Sequence, residues 1–436
     1  MRDLAKWLTP GIGVKRWVTV CGLGVLAQIA GGVLVALAIH RAWHWHMPLD
    51  WVLSLGGAGL FLLGAWVAIT GGRRIVRAVV RVLNPSDGPR LVEAFYRSRS
   101  RRGVRVVAIG GGTGLSAALR GLKAYTDNIT AIVAMADDGG SSGRLRAELG
   151  ALPPGDVRNC LVALAGEERL LAELFNYRFR QGGLEGHSFG NLFLTALADL
   201  TGDLQQAIRA SSRILAVRGQ VLPATLTSIE LAAQLADGTL IRGESRISRS
   251  LAPIARIWCE PNAPPALPEV LAALREAEVI ILGPGSLYTS IVTNLLVPDL
   301  LAELRRSRAP KIYVCNVMTQ PGETDHFTVS DHVRALQAIG GRNLFDYVLV
   351  NQDPPQRLRE RYGEQGQHPV ELDLERVREL GVTPIVASLI DETEAVRHNP
   401  EALGDALITW IDSLRRDGTG RLPPLADREL ATRPRR

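Results

Sequence analysis

Two long runs of uncharged, mostly apolar residues lie near the start of the chain. The first run lies between Arg16 and His40, and the second lies between Asp50 and Arg73. As an α-helix, each run of about 22 residues is about 33 Å long, which is enough to cross the apolar core of a bilayer. The pattern therefore predicts a two-helix transmembrane hairpin over residues 1–72.

Two other interpretations of these runs remain open. Residues 36–38, Ala-Leu-Ala, resemble the cleavage site of a secretory signal peptide, and two apolar helices can also form a buried hairpin of a soluble core. The first run is longer than the apolar region of a typical signal peptide, and a second run follows it, so membrane spans are favoured. In the connection, His44 and His46 form a single His-x-His pair, which is weak evidence for a metal site.

A basic segment follows the second run. Arg73, Arg77 and Arg81 recur every four residues beside a valine-rich face, which predicts a basic amphipathic helix at an anionic membrane surface. Residues 84–89 contain two prolines and are predicted to end this helix. The whole segment, 73–103, is predicted to be this helix and a linker, and a purely solvated linker is the alternative for residues 90–103.

From Val104 onward, short apolar runs of strand length alternate with helical patterns. Such alternation predicts an α/β fold, a Rossmann-like and mainly parallel sheet flanked by helices, over residues 104–414. The tail 415–436 has no apolar pattern and is predicted to be mobile. The predicted strands are 104–110, 129–137, 278–284, 311–317, 346–352 and 383–389.

The distribution of charged residues and cysteines along the chain predicts where in the cell the protein lies. Residues 1–103 hold 14 Lys/Arg and four Asp/Glu, a net charge of +10, whereas the remainder holds 36 and 40, a net charge of −4. Basic residues flank the two apolar runs and Arg41 alone lies between them, so both ends of the hairpin are expected in the cytoplasm. Four dispersed cysteines suit that reducing compartment. We therefore expect a multi-pass protein of the plasma membrane with a cytoplasmic α/β domain and no nucleic-acid partner.

The first predicted strand runs directly into a glycine-rich loop and then a helix. Backbone N–H groups at such a helix start favour phosphate. Leu115 stands where the last glycine of the dinucleotide fingerprint GxGxxG would fall, which argues against NAD. A structural turn without a ligand is the alternative. The residues predicted to contact phosphate are Gly111, Gly112, Thr113 and Gly114.

Further polar residues follow the other predicted strands, and the carboxyl ends of parallel strands line one crevice. Asp137 and Asp138 can bind ribose hydroxyls, hold a divalent cation or accept a proton, with helix capping as the simpler alternative. Asp156 is predicted to cap the helix 157–165. The glycine loop at 283–286 is expected to offer N–H groups to a second phosphate or a sugar. The remaining candidates are Ser141, Ser142, Arg158, Asn159, His187, Asn191, Gly283, Gly285, Ser286 and Asn316.

Six motifs taken together resemble one family. They are GGGTG, DDGGSSGRLR, PPGDVRNCLVAL, HSFGNLFLTAL, LGPGSLYTSIVTNLL and CNVMTQPGETD, and they occur in this order from residue 110 to residue 325. The set resembles the gluconeogenesis factor family (YvcK), within the wider group of 2-phospho-L-lactate transferase (CofD). The resemblance covers the α/β region from 104 to about 414, whereas soluble members of the family lack the hairpin.

The resemblance implies a regulatory protein with no established catalytic residue. It implies a UDP-sugar ligand such as UDP-N-acetylglucosamine, no required cofactor, and a role in cell shape and cell-wall precursor supply during gluconeogenic growth. It also implies a bacterial inner-membrane setting with a protein partner in cell-wall precursor synthesis, and a homo-oligomer is left open.

An enzyme is the alternative that the resemblance leaves open. The transferase branch moves a phospholactyl group to a deazaflavin, with Mg²⁺ held by aspartate, and the matching residues here are Asp137 and Asp138. The aromatic content is 5%, and Tyr288 is almost the only ring in the matched loops, which disfavours an acceptor pocket for a tricyclic ring. An NAD-linked dehydrogenase is a third and weaker alternative.

Overall fold

The computed structural model describes residues 14–44, 51–83, 103–166, 169–250 and 252–416. The chain divides into two compact units, residues 1–98 and 99–436. The predictions for His46, for residues 84–102 of the linker and for the tail beyond residue 416 lie outside the described residues.

The first unit contains two long helices, α1 (Val14–His44) and α2 (Trp51–Leu83). Each is long and apolar enough to cross a membrane, over Thr19–Trp43 and Trp51–Arg74, as the sequence predicted. The two helices pack through glycines: a Cβ on Gly31 would lie 2.5 Å from the carbonyl oxygen of Gly57. Small residues allow this close approach of two backbones in a lipid environment. The predicted basic helix is a continuation of α2 as far as Leu83.

The second unit is built on one seven-stranded sheet in which every neighbouring pair of strands is parallel. Its strands are β1 (Val106–Gly110), β2 (Ile129–Val133), β3 (Gln220–Pro223), β7 (Val279–Leu282), β8 (Lys311–Val314), β9 (Tyr347–Asn351) and β10 (Thr383–Ala387). Their order across the sheet is β10-β9-β8-β7-β1-β2-β3. The parallel α/β prediction is therefore confirmed, and all six predicted strands are present.

Helices cover both faces of this sheet, as a parallel sheet requires. They are α3 (Gly112–Leu122), α4 (Gly140–Leu149), α5 (Gly155–Leu164), α6 (Arg169–Asn176), α7 (Phe189–Thr201), α8 (Leu204–Ile214), α9 (Glu244–Ile247), α10 (Pro268–Glu276), α11 (Thr293–Leu295), α12 (Pro298–Arg306), α13 (Val329–Gly340), α14 (Arg359–Gly363), α15 (Leu374–Glu379) and α16 (Pro400–Arg416). A π-helical turn, Leu287–Val292, leads into α11.

Alternate residues of each strand enter opposite cores. Val106 and Ala108 of β1 belong to the core that contains α3, α5 and α16. Val107 and Ile109 belong to the core on the other face, which contains α10, α12 and α13. With both faces of β1 buried, the strand is fixed in place and its carboxyl end presents the glycine loop at one edge of the sheet.

The sequence did not predict β3 or two smaller antiparallel sheets. One small sheet has the order β5-β4-β6, with β4 at Glu230–Leu235, β5 at Leu240–Arg242 and β6 at Ile254–Glu260; the other pairs β11 (Ile390–Asp391) with β12 (Arg397–His398). β3 lies at the edge of the main sheet, begins with an exposed glutamine and ends in a proline, so it lacks the continuous apolar run of a central strand.

Candidate functional site

A cleft of about 890 Å³ opens at the edge of the sheet where β1, β7 and β8 end. It is lined by loops that are far apart in the sequence, as expected for the carboxyl edge of a parallel sheet. Nine residues predicted from the sequence line this cleft: Gly111, Gly112, Thr113, Gly114, Asp137, Asn159, Gly285, Ser286 and Asn316.

The glycines of the first loop are required for different reasons. A Cβ on Gly111 would lie 2.5 Å from an oxygen of Asp156, and one on Gly114 would lie 2.7 Å from the carbonyl oxygen of Pro284. Gly112 has φ +62°, and a Cβ there would meet no atom within 4 Å among the described residues. The loop is thus closely packed at two positions and open to the cleft at the third, where α3 begins.

Asp156 does not cap α5, contrary to the sequence-based prediction. The helix already begins at Gly155, so Asp156 lies in its first turn, and its carboxylate faces the glycine loop and accepts a hydrogen bond from the backbone of Gly112. Burial, together with the neighbouring charge of Asp137, raises the pKa of Asp156 to about 7. Asp156 is therefore part of the cleft, poised between its protonated and ionised forms near neutral pH.

Glu244 is a further acidic group in the cleft, and sequence reasoning missed it. It belongs to α9, a single turn between β5 and β6. Burial, then the charges of Asp137 and Asp156, raise the pKa of Glu244 to about 9. No local pattern marks Glu244 as a site residue, because only the folding of the small antiparallel sheet brings it to the cleft.

Asp137 and Asp138 are adjacent in sequence but contact different neighbours. Asp137 lines the cleft, and its Oδ1 accepts a hydrogen bond from Gly139 N at 2.9 Å. Asp138 Oδ1 instead accepts from Ser245 N at 2.8 Å and ties the β2 loop to α9. The two carboxylates thus have different backbone donors, and within the described residues no group of three His, Cys, Asp or Glu is arranged to hold a metal. Their role as Mg²⁺ ligands in the transferase alternative stays a prediction.

A buried polar cluster lies behind the cleft and contains the other predicted contacts of α4, α5 and α7. Arg158 donates to Asn191 Oδ1 at 2.9 Å and to Asn159 Oδ1 at 2.7 Å. Ser141 Oγ pairs with His187 Nδ1 at 3.1 Å. The members that do not line the cleft are Ser141, Ser142, Arg158, His187 and Asn191, which hydrogen-bond within the cluster, although Arg158 Nε has no partner among the described residues. Their contact with a ligand stays a prediction. Of this group, Arg158 positions a residue that lines the cleft, because it donates a hydrogen bond to the side-chain oxygen of Asn159.

The second glycine loop also differs from the prediction. Gly283 N donates to Ile109 O at 2.7 Å within the sheet, so this N–H is not available to a ligand. The start of the following π-helical turn is occupied by the buried carboxylate of Glu323, which accepts from Tyr288 N at 3.1 Å and from Thr289 Oγ1 at 3.0 Å. A carboxyl group of the protein itself thus accepts these hydrogen bonds. Gly285 and Ser286 still line the cleft.

The similarity to known proteins agrees with this arrangement. The sequence profile described as 2-phospho-L-lactate transferase CofD matches residues 106–390, which include every strand end that lines the cleft. The chain belongs to the CofD family. The resemblance inferred from the six motifs is confirmed.

Individual relatives show which members of the CofD family this chain is similar to. A protein of Bacillus subtilis named gluconeogenesis factor is 46% identical over 70% of this chain and 98% of its own length. A crystal structure of a Bacillus halodurans protein, 47% identical, superposes with a TM-score of 0.68 and covers 70% of this chain and 99% of that chain. The α/β unit is therefore similar to whole proteins of the gluconeogenesis factor group.

Other CofD-family relatives share more than the α/β unit. A Nostoc relative is 51% identical over 93% of this chain and 92% of its own length. Because the first unit spans 98 residues, a match over 93% of 436 residues must extend into it. The similarity to this relative therefore includes part of the first unit.

The cleft also holds residues that sequence reasoning did not identify in this CofD-family chain. Tyr362 and Arg397 line it, as does Arg120 from α3. Tyr362 lies in a segment, residues 356–367, that we call the cleft strap. Three N–H groups at the start of the strap, of residues 356–358, donate to the carboxylate of Glu392, and Tyr362 Oη accepts from Val396 N at 3.0 Å. The strap has no apolar periodicity, so no sequence signal marks its residues.

Proposed function

We propose that this member of the CofD family binds a nucleotide sugar of the UDP class in the cleft and acts as a regulatory protein rather than a transferase. The observation that carries the proposal is the glycine loop at the start of α3. There the backbone of Gly112 and Thr113 borders open space in a cleft that is lined mostly by polar groups. A diphosphate is the anion that this helix start suits.

The rest of the cleft offers groups for the two ends of such a ligand. The ring of Tyr362 and the guanidinium groups of Arg120 and Arg397 suit a base and negative charge. Asn159 and Asp137 suit ribose or sugar hydroxyls. A volume of about 890 Å³ lies within the usual range for small-molecule sites.

A regulatory role is favoured over group transfer by two observations. Relatives that match this chain over most of their length carry the name gluconeogenesis factor. Asp137 and Asp138, the metal pair of the transferase alternative, each already accept a hydrogen bond from a different backbone N–H group, that of Gly139 and that of Ser245. We propose that no cofactor is required and that Mg²⁺, if it takes part, accompanies the diphosphate.

The two long apolar helices support a location for this regulator. We propose that they anchor it in the plasma membrane with the α/β unit in the cytoplasm, because basic residues flank the hairpin on its terminal sides. Cell-wall precursors are assembled at that membrane face, so we propose a protein partner in precursor synthesis and a role in cell shape during gluconeogenic growth.

A ligand screen tests the proposal. The purified full chain in detergent is melted with UDP-N-acetylglucosamine, UDP, a GDP-sugar, NAD and a deazaflavin acceptor. We expect UDP-N-acetylglucosamine to raise Tm, because a ligand at 100 times Kd adds about 2.7 kcal/mol to the free energy of unfolding. The GDP-sugar and NAD should not change Tm. Stabilisation by NAD alone, or formation of a phospholactyl-deazaflavin product with the wild-type chain, would contradict it.

A further inference from the structure

A second cavity, of about 840 Å³, lies where β8 and β9 end. The cleft strap contributes to both spaces, with Tyr362 in the lining of the cleft and Arg359 in the lining of the second cavity. The residues that line both spaces are Asn316, Val317 and Gln367. The second cavity is therefore a neighbour of the cleft and shares part of its lining.

Buried apolar side chains form one part of the lining of the second cavity. They come from the ends of β8 and β9, from the start of α13 and from the segment that follows the strap. A small-molecule site typically combines such an apolar surface with a few polar groups that fix the orientation of the ligand. The buried apolar residues are Cys315, Val317, Val329, Val350 and Val370.

Exposed polar side chains form the rest of the lining. Gln352, Arg359 and Glu371 are exposed, and their side chains have no hydrogen-bond or ion-pair partner among the described residues. Glu360 also lines the cavity and forms no ion pair with Arg359. A carboxamide, a guanidinium and carboxylates are thus free to contact a ligand.

This set of groups matches the parts of a mononucleotide. The carboxamide of a glutamine complements the N6 and N7 edge of adenine, a carboxylate binds ribose hydroxyls, and a guanidinium binds phosphate. We propose that the second cavity binds an adenine mononucleotide as an effector, with the base against the valines. Gln352 contacts the base, Glu371 the ribose and Arg359 the phosphate. The volume lies within the usual range for ligands of this size.

Two sets of contacts couple the second cavity to the cleft. Asn316 Nδ2 donates to Gln320 Oε1 at 3.3 Å, and Gln320 Nε2 donates to Ser286 Oγ at 3.0 Å, which brings the shared lining to the second glycine loop. The single turn α14 carries both Arg359 and Tyr362. A nucleotide held by Arg359 orders the turn that presents Tyr362 to the cleft, so a ligand that binds the cleft afterwards loses less entropy. The coupling rests on the proposed function, whereas occupation of the second cavity does not.

Calorimetric titration of the full chain in detergent tests both statements. AMP should bind alone and also in the presence of saturating UDP-N-acetylglucosamine, and GMP and UMP should bind more weakly than AMP. AMP should raise the affinity for UDP-N-acetylglucosamine about 5-fold or more, and UDP-N-acetylglucosamine should raise the affinity for AMP by the same factor. AMP should also slow hydrogen exchange of the strap amides. Absence of AMP binding, a preference for UMP, or displacement of AMP by UDP-N-acetylglucosamine would overturn the site.

Variants of the exposed lining locate the nucleotide. Arg359→Gln should lower the affinity for AMP about 10- to 150-fold, because a hydrogen bond to a charged group is lost, and should leave the affinity for UDP-N-acetylglucosamine alone unchanged. The matched control is Arg361→Gln, on the same turn, since Arg361 is exposed and lines neither space. Gln352→Leu should remove the preference for AMP over UMP. All three variants should melt like the wild type without ligand, and equal AMP affinities of Arg359→Gln and Arg361→Gln would refute the assignment.

The effector site and the proposed function fail in different ways. A chain that binds AMP but not UDP-N-acetylglucosamine would overturn the proposed function alone. A chain that binds UDP-N-acetylglucosamine but not AMP would overturn the effector site alone. Binding of both with unchanged affinities would leave two sites and overturn the coupling between them.

Discussion

Replacing Gly112 with alanine tests the phosphate-binding role of the first loop. Gly112 has φ +62°, in the left-handed region where an L-residue is disfavoured by about 1–2 kcal/mol. Its Cβ would nevertheless meet no protein atom, so steric overlap adds nothing to that cost. We expect the variant to fold, with Tm lowered by about 1 to 3 °C for a unit of this size.

The effect on binding should be larger than the effect on folding. The new methyl group would project into the open space of the cleft, where the backbone at the start of α3 is proposed to meet the diphosphate. Loss of a hydrogen bond to a charged group is worth about 1.5–3 kcal/mol, so the affinity for UDP-N-acetylglucosamine should fall about 10- to 150-fold.

Gly150→Ala provides a matched control for backbone strain. Gly150, which ends α4, has φ +65°, and a Cβ there would also meet no atom within 4 Å of the described residues. It does not line the cleft. Both variants should lose similar stability, measured by thermal melting without ligand, and only Gly112→Ala should lose affinity in isothermal titration calorimetry. Equal affinities for the two variants would refute the assignment of the loop to phosphate binding.

Three further predictions concern the titration of the cleft, the strap and the membrane unit. The pKa of Asp156 is raised to about 7 in the folded state from an ordinary value near 4, so the folded form binds an extra proton and the wild type loses stability as pH rises through this range. Melting curves of Asp156→Asn should therefore show a stability that increases relative to the wild type between pH 5 and pH 8, and a constant difference would contradict this. Glu392→Ala should speed hydrogen exchange of the strap amides and weaken ligand binding, because the strap that carries Tyr362 loses its support. Glu392→Gln keeps an acceptor and should have smaller effects on both. Unchanged hydrogen exchange in both variants would exclude the contact between Glu392 and the strap. A fragment that starts at Gly103 should stay soluble without detergent while the full chain sediments with membranes, and recovery of the full chain in the soluble fraction would argue against anchoring.

The sequence predicted the sheet because its central strands are buried on both faces. β1, β2 and β7 to β10 read as short continuous apolar runs, and that signal is local. The glycine loop was equally visible, since closely spaced glycines after a strand mark a phosphate-binding turn. The edge strand β3 and the small antiparallel sheets carry shorter patterns, and their pairing depends on residues far away.

The candidate site was only partly predictable for a related reason. Asp156 was misread because its role depends on where α5 begins, and that helix begins one residue before it. The carboxyl group of Glu323, 34 or 35 positions further along the chain, accepts hydrogen bonds from Tyr288 N and Thr289 N. The loop at 283–286 therefore gave no sign that these donors are already paired. Glu244 and Tyr362 reach the cleft through tertiary contacts alone.

The adjacency of β1 and β7 sets an order of events during synthesis. Val106 pairs with Val279, and a ribosome adding about 5–20 residues per second needs roughly 10 to 35 seconds to make the intervening chain. The glycine loop therefore leaves the ribosome long before the strand that completes its cleft, whereas both long apolar helices have already emerged. With the proposed membrane anchoring, a nascent chain reaches the membrane before it can bind the proposed ligand, and β1 must wait with one edge exposed. Chaperone dependence should accordingly be confined to that interval.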